Sequence, residues 1–136
     1  MDIADWAANG FVPSGRWHDG ILEVTAEDMT VPGRGVLRVL RVAGEVDIDT
    51  APVLQFALQQ TVSDRPDTTV VDLSGLVFGD SSTLNALIRA HHRLPALVIA
   101  GPLRPTVRRL FTLSGLEDFF TTAPDTGTVV KRVTTL

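Results

Sequence analysis

The chain has 136 residues, of which 44% are apolar and 21% are charged, a composition typical of one globular domain with one core. Its formal net charge of -4 argues against nucleic-acid binding, which needs clustered lysine and arginine to displace counterions from phosphates. Because there is no cysteine, disulfides, thiolate metal sites and cysteine nucleophiles are excluded, and a reducing cytoplasm is the natural setting.

Residues 1–20 contain two tryptophans and three glycines, and they lack the basic start and apolar run of a signal peptide. We expect an irregular, partly disordered extension here, followed by one domain over residues 21–136. The aromatic residues Trp6, Phe11 and Trp17 either anchor a partner or, as we favour, fold back over the sheet. No stretch reaches the roughly 18 apolar residues of a membrane span, so a soluble cytoplasmic protein is expected.

Alternating apolar residues over 21–29 and 36–44, separated by the Gly/Pro segment 31–35, predict two antiparallel strands joined by a turn. A helix is expected next, because Asp49 or Thr50 can cap it and Pro52 suits its first turn. The β-branched segment 68–73 then predicts a central strand that is covered on both faces.

The second half of the chain alternates between helix and strand. An apolar stripe with helical spacing follows Ser81 or Ser82, and strand character resumes at 96–100. Pro105 begins another helix that Gly115 ends, and Asp125 caps a last one. This order predicts an α/β fold with a mixed sheet of about four or five strands, the later ones parallel, and helices packed mainly on one face.

The most informative segment is 70–84, VVDLSGLVFGDSSTL. It predicts a strand, a tight polar loop and a helix N-terminus, which places Asp80, Ser81, Ser82 and Thr83 at the edge of the sheet where open α/β folds hold ligand and regulatory sites. A phosphate on a hydroxyl there would meet free backbone N–H groups and the positive end of the helix dipole. The plainer alternative is that Asp-Ser-Ser only caps the helix.

This segment resembles the signature of the STAS family, in which a strand ending in Asp-Leu-Ser precedes an Asp-Ser-Ser-Gly-Leu loop and helix. Residues 44–47 (GEVD) with 50–52 (TAP), 107–111 (VRRLF) and 113–116 (LSGL) resemble further segments of that family in its own order. The resemblance therefore covers roughly residues 20–122.

Some soluble members of the family act as anti-sigma factor antagonists. The resemblance implies that Ser82 is the phosphoacceptor of a partner that is both anti-sigma factor and serine kinase, with Asp47, Asp80, Ser81 and Thr83 around it. It implies that the unphosphorylated form binds the anti-sigma factor and frees the sigma factor, whereas the phosphorylated form cannot. Such a module needs no catalysis of its own, no cofactor, no metal, and no contact with DNA or membrane.

Thr83 departs from the family pattern, which has Gly at this position, and a β-branched residue removes the close backbone approach that Gly permits. Altered kinase recognition, phosphorylation of Thr83 itself and a degenerate site all stay open. The alternative function is a non-phosphorylated STAS scaffold or a small-ligand-sensing subunit of a larger signalling or transport assembly.

Other chemistries are disfavoured by the motifs that they would need. Residues 79–83 (GDSST) lack the Gly-x-Ser-x-Gly elbow of a hydrolase, and 33–35 (GRG) lacks the Lys-Ser/Thr of a P-loop. His91 lies on the apolar stripe of its predicted helix, and its neighbour His92 diverges from it, so neither a general base nor a metal site is expected. The oligomeric state is left open.

Overall fold

A computed structural model of the chain describes residues 10–135, which form a six-stranded sheet in the order β1-β2-β3-β4-β5-β6 with four helices. Strands β1, β2 and β3 pair antiparallel, and β3 to β6 pair parallel. The mixed α/β sheet is thus confirmed, with one or two strands more than expected. In chain order the elements are β1 (Val12–Asp19), β2 (Leu22–Val31), β3 (Gly35–Val46), α1 (Ala51–Asp64), β4 (Thr68–Gly79), α2 (Ser81–Arg93), β5 (Leu97–Ala100), α3 (Pro105–Leu113), β6 (Thr121–Ala123) and α4 (Thr126–Thr134).

Two apolar clusters cover the two faces of the sheet. The larger contains Leu54, Leu87 and Phe111, one from each of α1, α2 and α3. The smaller forms under α4, through Val129 and Val130. The central strands supply both clusters because successive side chains of a strand point to opposite faces. Three of the four helices therefore share one face, as predicted.

Residues 12–19 form the edge strand β1, whereas an irregular extension was expected over residues 1–20. Most of β1 is exposed on both faces, so its sequence carries no apolar alternation that would predict a strand. Trp17 packs against the larger cluster and Phe11 is 8% exposed within the smaller one, which confirms that these aromatic residues fold back over the sheet. Trp6 and the rest of residues 1–9 lie outside the described part of the chain.

The predicted helix and strand boundaries follow mostly from local signals. The turn between β2 and β3 holds Gly33 at φ 77°, and Gly115 at φ 70° ends α3. Asp125 caps α4 by accepting a 2.7 Å hydrogen bond from the N–H of Thr128. Thr50 differs from expectation: it precedes α1, but its hydroxyl donates to the carbonyl oxygen of Glu45 at 2.9 Å and forms no cap bond to the helix.

Over residues 10–135, no helix combines the length and apolar character needed to cross a membrane.

Candidate functional site

Strands β3 and β4 end side by side, because Val46 and Gly79 are partners in the parallel pair. Asp47 follows the first of these residues and Asp80 the second, so both acids lie at the C-terminal edge of the sheet. Helices α1 and α2 begin at the same edge. The structure thus brings together the loops that carry Asp47, Asp80, Ser81 and Ser82, as the sequence predicted, while the roles of these residues stay a prediction.

Strand β4 is longer than expected and replaces the predicted polar loop. It continues through Gly79, so that Asp80 alone separates it from α2. Its polar stretch stays in the sheet because Asp72 Oδ1 accepts bonds from the N–H and the hydroxyl of Ser74, at 2.9 and 2.6 Å. The register with β3 shifts there, and Leu76 returns to the core. The site therefore stands at the end of a paired strand of the sheet and not on a loop.

Asp80 is the N-cap of α2. Its Oδ1 accepts a 2.9 Å hydrogen bond from the N–H of Ser82, and its carbonyl oxygen accepts a 3.0 Å bond from the N–H of Thr83. These two amides are therefore already bonded, which corrects the expectation that a phosphate here would meet free N–H groups. Ser81 is exposed and Ser82 is half-buried, so both serines are open to solvent in different degrees.

Thr83 lies inside the fold at 0% exposure. Its Oγ1 has no hydrogen-bond partner among the described residues. A methyl group placed on Gly79 would lie only 2.8 Å from this oxygen, so Thr83 fills the space over the end of β4. A kinase needs an accessible hydroxyl, and Thr83 does not offer one in this fold, which disfavours Thr83 as the phosphoacceptor.

Asp47 organises the loop between β3 and α1. Its Oδ1 accepts hydrogen bonds from the N–H groups of Asp49 and Thr50, at 2.9 and 3.0 Å. These bonds, that of Thr50 first, hold the pKa of Asp47 below its ordinary value, because they stabilise the ionised carboxylate. Asp47 therefore places a fixed negative charge on the loop beside the start of α2.

Exposed apolar side chains, which the sequence-based prediction of the site did not include, accompany this edge. Ile48 is 79% exposed in the loop after Asp47, and Val77 and Phe78 are 43% and 46% exposed at the end of β4. Several exposed apolar side chains at one edge of a sheet offer area that a bound protein can bury. The signal in the sequence is a pair of large apolar residues directly before Gly-Asp-Ser-Ser, where the strand has left the core.

Helix α3 is tied to the same edge, because the hydroxyl of Thr106 donates to the carbonyl oxygen of Val77 at 2.9 Å. His91, in contrast, belongs to an aromatic cluster at the other end of α2, with its ring 4.7 Å from that of Phe119. This packing supports the interpretation of His91 as a structural residue. Among residues 10–135, no three or more His, Cys, Asp or Glu side chains converge as metal ligands would.

Comparisons with known proteins point to one family. The family model described as "Mlab, STAS domain" matches residues 29–123. The anti-sigma-F factor antagonist RsfB of Mycobacterium tuberculosis is 32% identical over 94 residues, which are 68% of this chain and 77% of RsfB. The crystal structure of an anti-sigma factor antagonist from Mycobacterium paratuberculosis matches with a TM-score of 0.67 and 27% identity, over 90% of this chain and 92% of that one. The anti-sigma factor antagonist SpoIIAA in its unphosphorylated form has the same fold, with a TM-score of 0.61 and 22% identity over 74% of this chain and 90% of that one.

Proposed function

The chain belongs to the STAS domain family, and on that premise we propose that it is an anti-sigma factor antagonist switched by phosphorylation of Ser82. In its unphosphorylated state it binds an anti-sigma factor that is also a serine kinase, and thereby releases a sigma factor. The names of the mycobacterial relatives support the antagonist function. The kinase partner and the phosphorylated residue rest on the resemblance of the Asp-Ser-Ser segment.

One observation carries this proposal: the half-buried Ser82 lies at the start of α2, on a sheet edge that also carries exposed apolar side chains. Ile48, Val77 and Phe78 give a partner apolar surface to bury. Phosphorylation would add about -1.5 to -2 charges at Ser82. A partner would then have to bury that charge against its own apolar surface, which is strongly unfavourable.

The domain itself would tolerate the phosphate. Ser82 is the second residue of α2, where the positive end of the helix dipole favours an anion. The carboxylates of Asp47 and Asp80 repel the phosphate. All three groups remain at the solvent-exposed edge, where water screens this repulsion. We therefore expect modification to abolish binding while the fold stays intact.

A scaffold without phosphorylation is the second candidate function, and Thr83 is the observation that favours it. A buried β-branched residue occupies the position after Ser82, where the family has Gly, so the helix start is more tightly filled. Such a scaffold would keep its partner when a negative charge is placed at Ser82.

Binding measurements separate the two functions. Each anti-sigma factor of the source genome is purified and titrated calorimetrically with the wild-type chain, Ser82→Ala and Ser82→Asp. We expect one of them to bind wild type and Ser82→Ala equally, and Ser82→Asp at least about tenfold more weakly, since a buried unpaired charge costs more than 1.4 kcal/mol. Ser114→Asp, at an exposed serine that directly follows the end of α3, is the charge-matched control and should bind like wild type. Equal binding of Ser82→Asp would favour the scaffold.

A further inference from the structure

A groove of about 350 Å³ lies between α1 and α2. Its floor is apolar, and its rim carries the amide and guanidinium groups of two glutamines and two arginines. Among residues 10–135, no carboxylate lines it. The lining residues are Gln55, Leu58, Gln59, Val62, Ala86, Arg89, Ala90 and Arg93.

The groove is continuous with the Ser82 edge. Ser82, Ala86, Arg89 and Arg93 are spaced by four, three and four residues, so they form one stripe along α2. At 1.5 Å of rise per residue, Arg89 lies about 10 Å from Ser82 along the helix axis and Arg93 about 16 Å. A protein bound over Ser82 therefore needs to extend by only a few residues to enter the groove.

The two arginines of the groove carry charges that no residue of the described part of the chain neutralises. Among residues 10–135, the side chains of Arg89 and Arg93 form no ion pair or hydrogen bond. Both are exposed. Helix α2 contains no acidic residue, and the one acid of α1, Asp64, is bound to Arg38 at 2.8 Å. In a chain whose net charge is -4, this groove is thus a local site of unneutralised positive charge.

We propose that this groove is a second contact site for the anti-sigma factor and receives an acidic segment of it that has one apolar face. The apolar side chains of that segment pack on Leu58 and Val62, and its carboxylates accept charge-assisted hydrogen bonds from Arg89 and Arg93. This inference rests on the proposed function, and it assigns separate tasks to the two surfaces. The Ser82 edge decides whether the partner binds, and the groove contributes affinity and salt dependence.

The test is a titration of the same anti-sigma factor with Arg89→Gln/Arg93→Gln, which removes both charges and keeps two long polar side chains. Lys131→Gln/Arg132→Gln is the matched control, because it removes the same charge from exposed positions of α4, on the opposite face of the sheet. At about 50 mM salt we expect Kd to rise at least about tenfold in the groove variant and less than about twofold in the control. At about 500 mM salt the groove variant should approach wild type, since screening removes the ionic part of the binding.

The outcomes distinguish this inference from the function on which it rests. If wild type binds and Ser82→Asp does not, but the groove variant binds with the affinity and salt dependence of wild type, the groove inference is overturned and the switch stands. If Ser82→Asp binds like wild type, the proposed phosphorylation switch is overturned. The affinity of the groove variant then still tests the groove inference. If no anti-sigma factor binds wild type, both are overturned. If the groove variant instead changes self-association of the chain alone in sedimentation, the groove holds a second copy, and the inference is likewise overturned.

Discussion

The carboxylate of Asp80 accepts a 2.9 Å hydrogen bond from the backbone N–H of Ser82. Asp80, the N-cap of helix α2, is therefore bonded directly to Ser82, which we propose as the phosphoacceptor. A phosphate on Ser82 would stand beside this carboxylate at the positive end of the helix dipole, so attraction and repulsion both act on it. The solvent-exposed edge can hold that charge, whereas an interface with an apolar partner cannot.

Asp47 predicts a pH-dependent contribution to stability. Its pKa is lowered in the fold, chiefly by the N–H of Thr50, so its contribution is present above the unfolded pKa and is lost as pH falls through the folded pKa. Asp47→Asn should therefore be less stable than wild type near neutral pH, and this difference should shrink below about pH 4. Urea unfolding across this range measures it. Asp49→Asn is the neighbouring control, and a difference for Asp47→Asn that stays constant down to about pH 2 would contradict the account.

Thr83→Val should stabilise the protein. The hydroxyl of Thr83 is fully buried and has no partner among the described residues, so its removal relieves an unsatisfied polar group. We expect the free energy of unfolding to rise by about 1 kcal/mol in urea denaturation. Thr61→Val is the control, because the equally buried hydroxyl of Thr61 donates to the carbonyl oxygen of Ala57 at 2.9 Å. That substitution should cost about 1 kcal/mol, and a loss of stability in both variants would refute the prediction.

Gly79 and Thr83 should be energetically coupled. A methyl group on Gly79 would lie 2.8 Å from Thr83 Oγ1, and the β-branched side chain of Thr83 has few rotamers with which to avoid it. Gly79→Ala should destabilise wild type by more than about 1 kcal/mol and should cost much less in a Thr83→Ala background. A double-mutant cycle by thermal or urea unfolding measures this coupling, and strictly additive effects would show that the two positions are independent.

Gly44 should tolerate no side chain. It has a φ of 113° within β3, and an added Cβ would clash with the carbonyl oxygen of Ile21, a backbone atom that cannot turn away. We expect Gly44→Ala to lower the free energy of unfolding by about 3 kcal/mol or more, or to prevent folding. Gly20→Ala provides the comparison. Gly20 has a φ of 54°, and no atom of residues 10–135 beyond its two chain neighbours would lie within 4 Å of an added Cβ, so this substitution should cost only about 1 kcal/mol. Equal stability of the two variants would contradict this explanation of why glycine is needed at position 44.

The sequence predicted elements whose side chains repeat with a clear period. Strand β2 alternates and helix α2 carries its apolar stripe, because each buries mainly one side against the core. Strand β3 is buried on both faces, with Leu37 and Val39 in the smaller cluster and Leu40 and Val42 in the larger. Edge strand β1 was missed since neither of its faces is fully buried. The end of β4 has the sequence of a loop, because Ser74 and Gly75 are typical of turns. In the fold, Asp72 satisfies the polar groups of Ser74 within the strand.

The candidate site was predictable in position but not in detail. The resemblance to the STAS family predicts Asp47 beside the Asp-Ser-Ser segment, and the neighbouring parallel strands β3 and β4 do end at one edge of the sheet. The burial of Thr83 depends on how α2 packs over Gly79, and the groove depends on which helix lies beside Arg89 and Arg93. Such contacts between distant segments leave no local pattern in the sequence.

The central claim is that Ser82 is the switch, and phosphate mapping tests it most directly. The wild-type chain and Ser82→Ala are incubated with the anti-sigma factor that binds wild type and with ATP, and intact-mass and peptide mass spectrometry then locate the phosphate. We predict one phosphate on Ser82 of wild type and none on Ser82→Ala. Phosphate on Ser81 or Thr83 would contradict the claim. So would the absence of phosphate on this chain when the same kinase phosphorylates another antagonist protein under the same conditions.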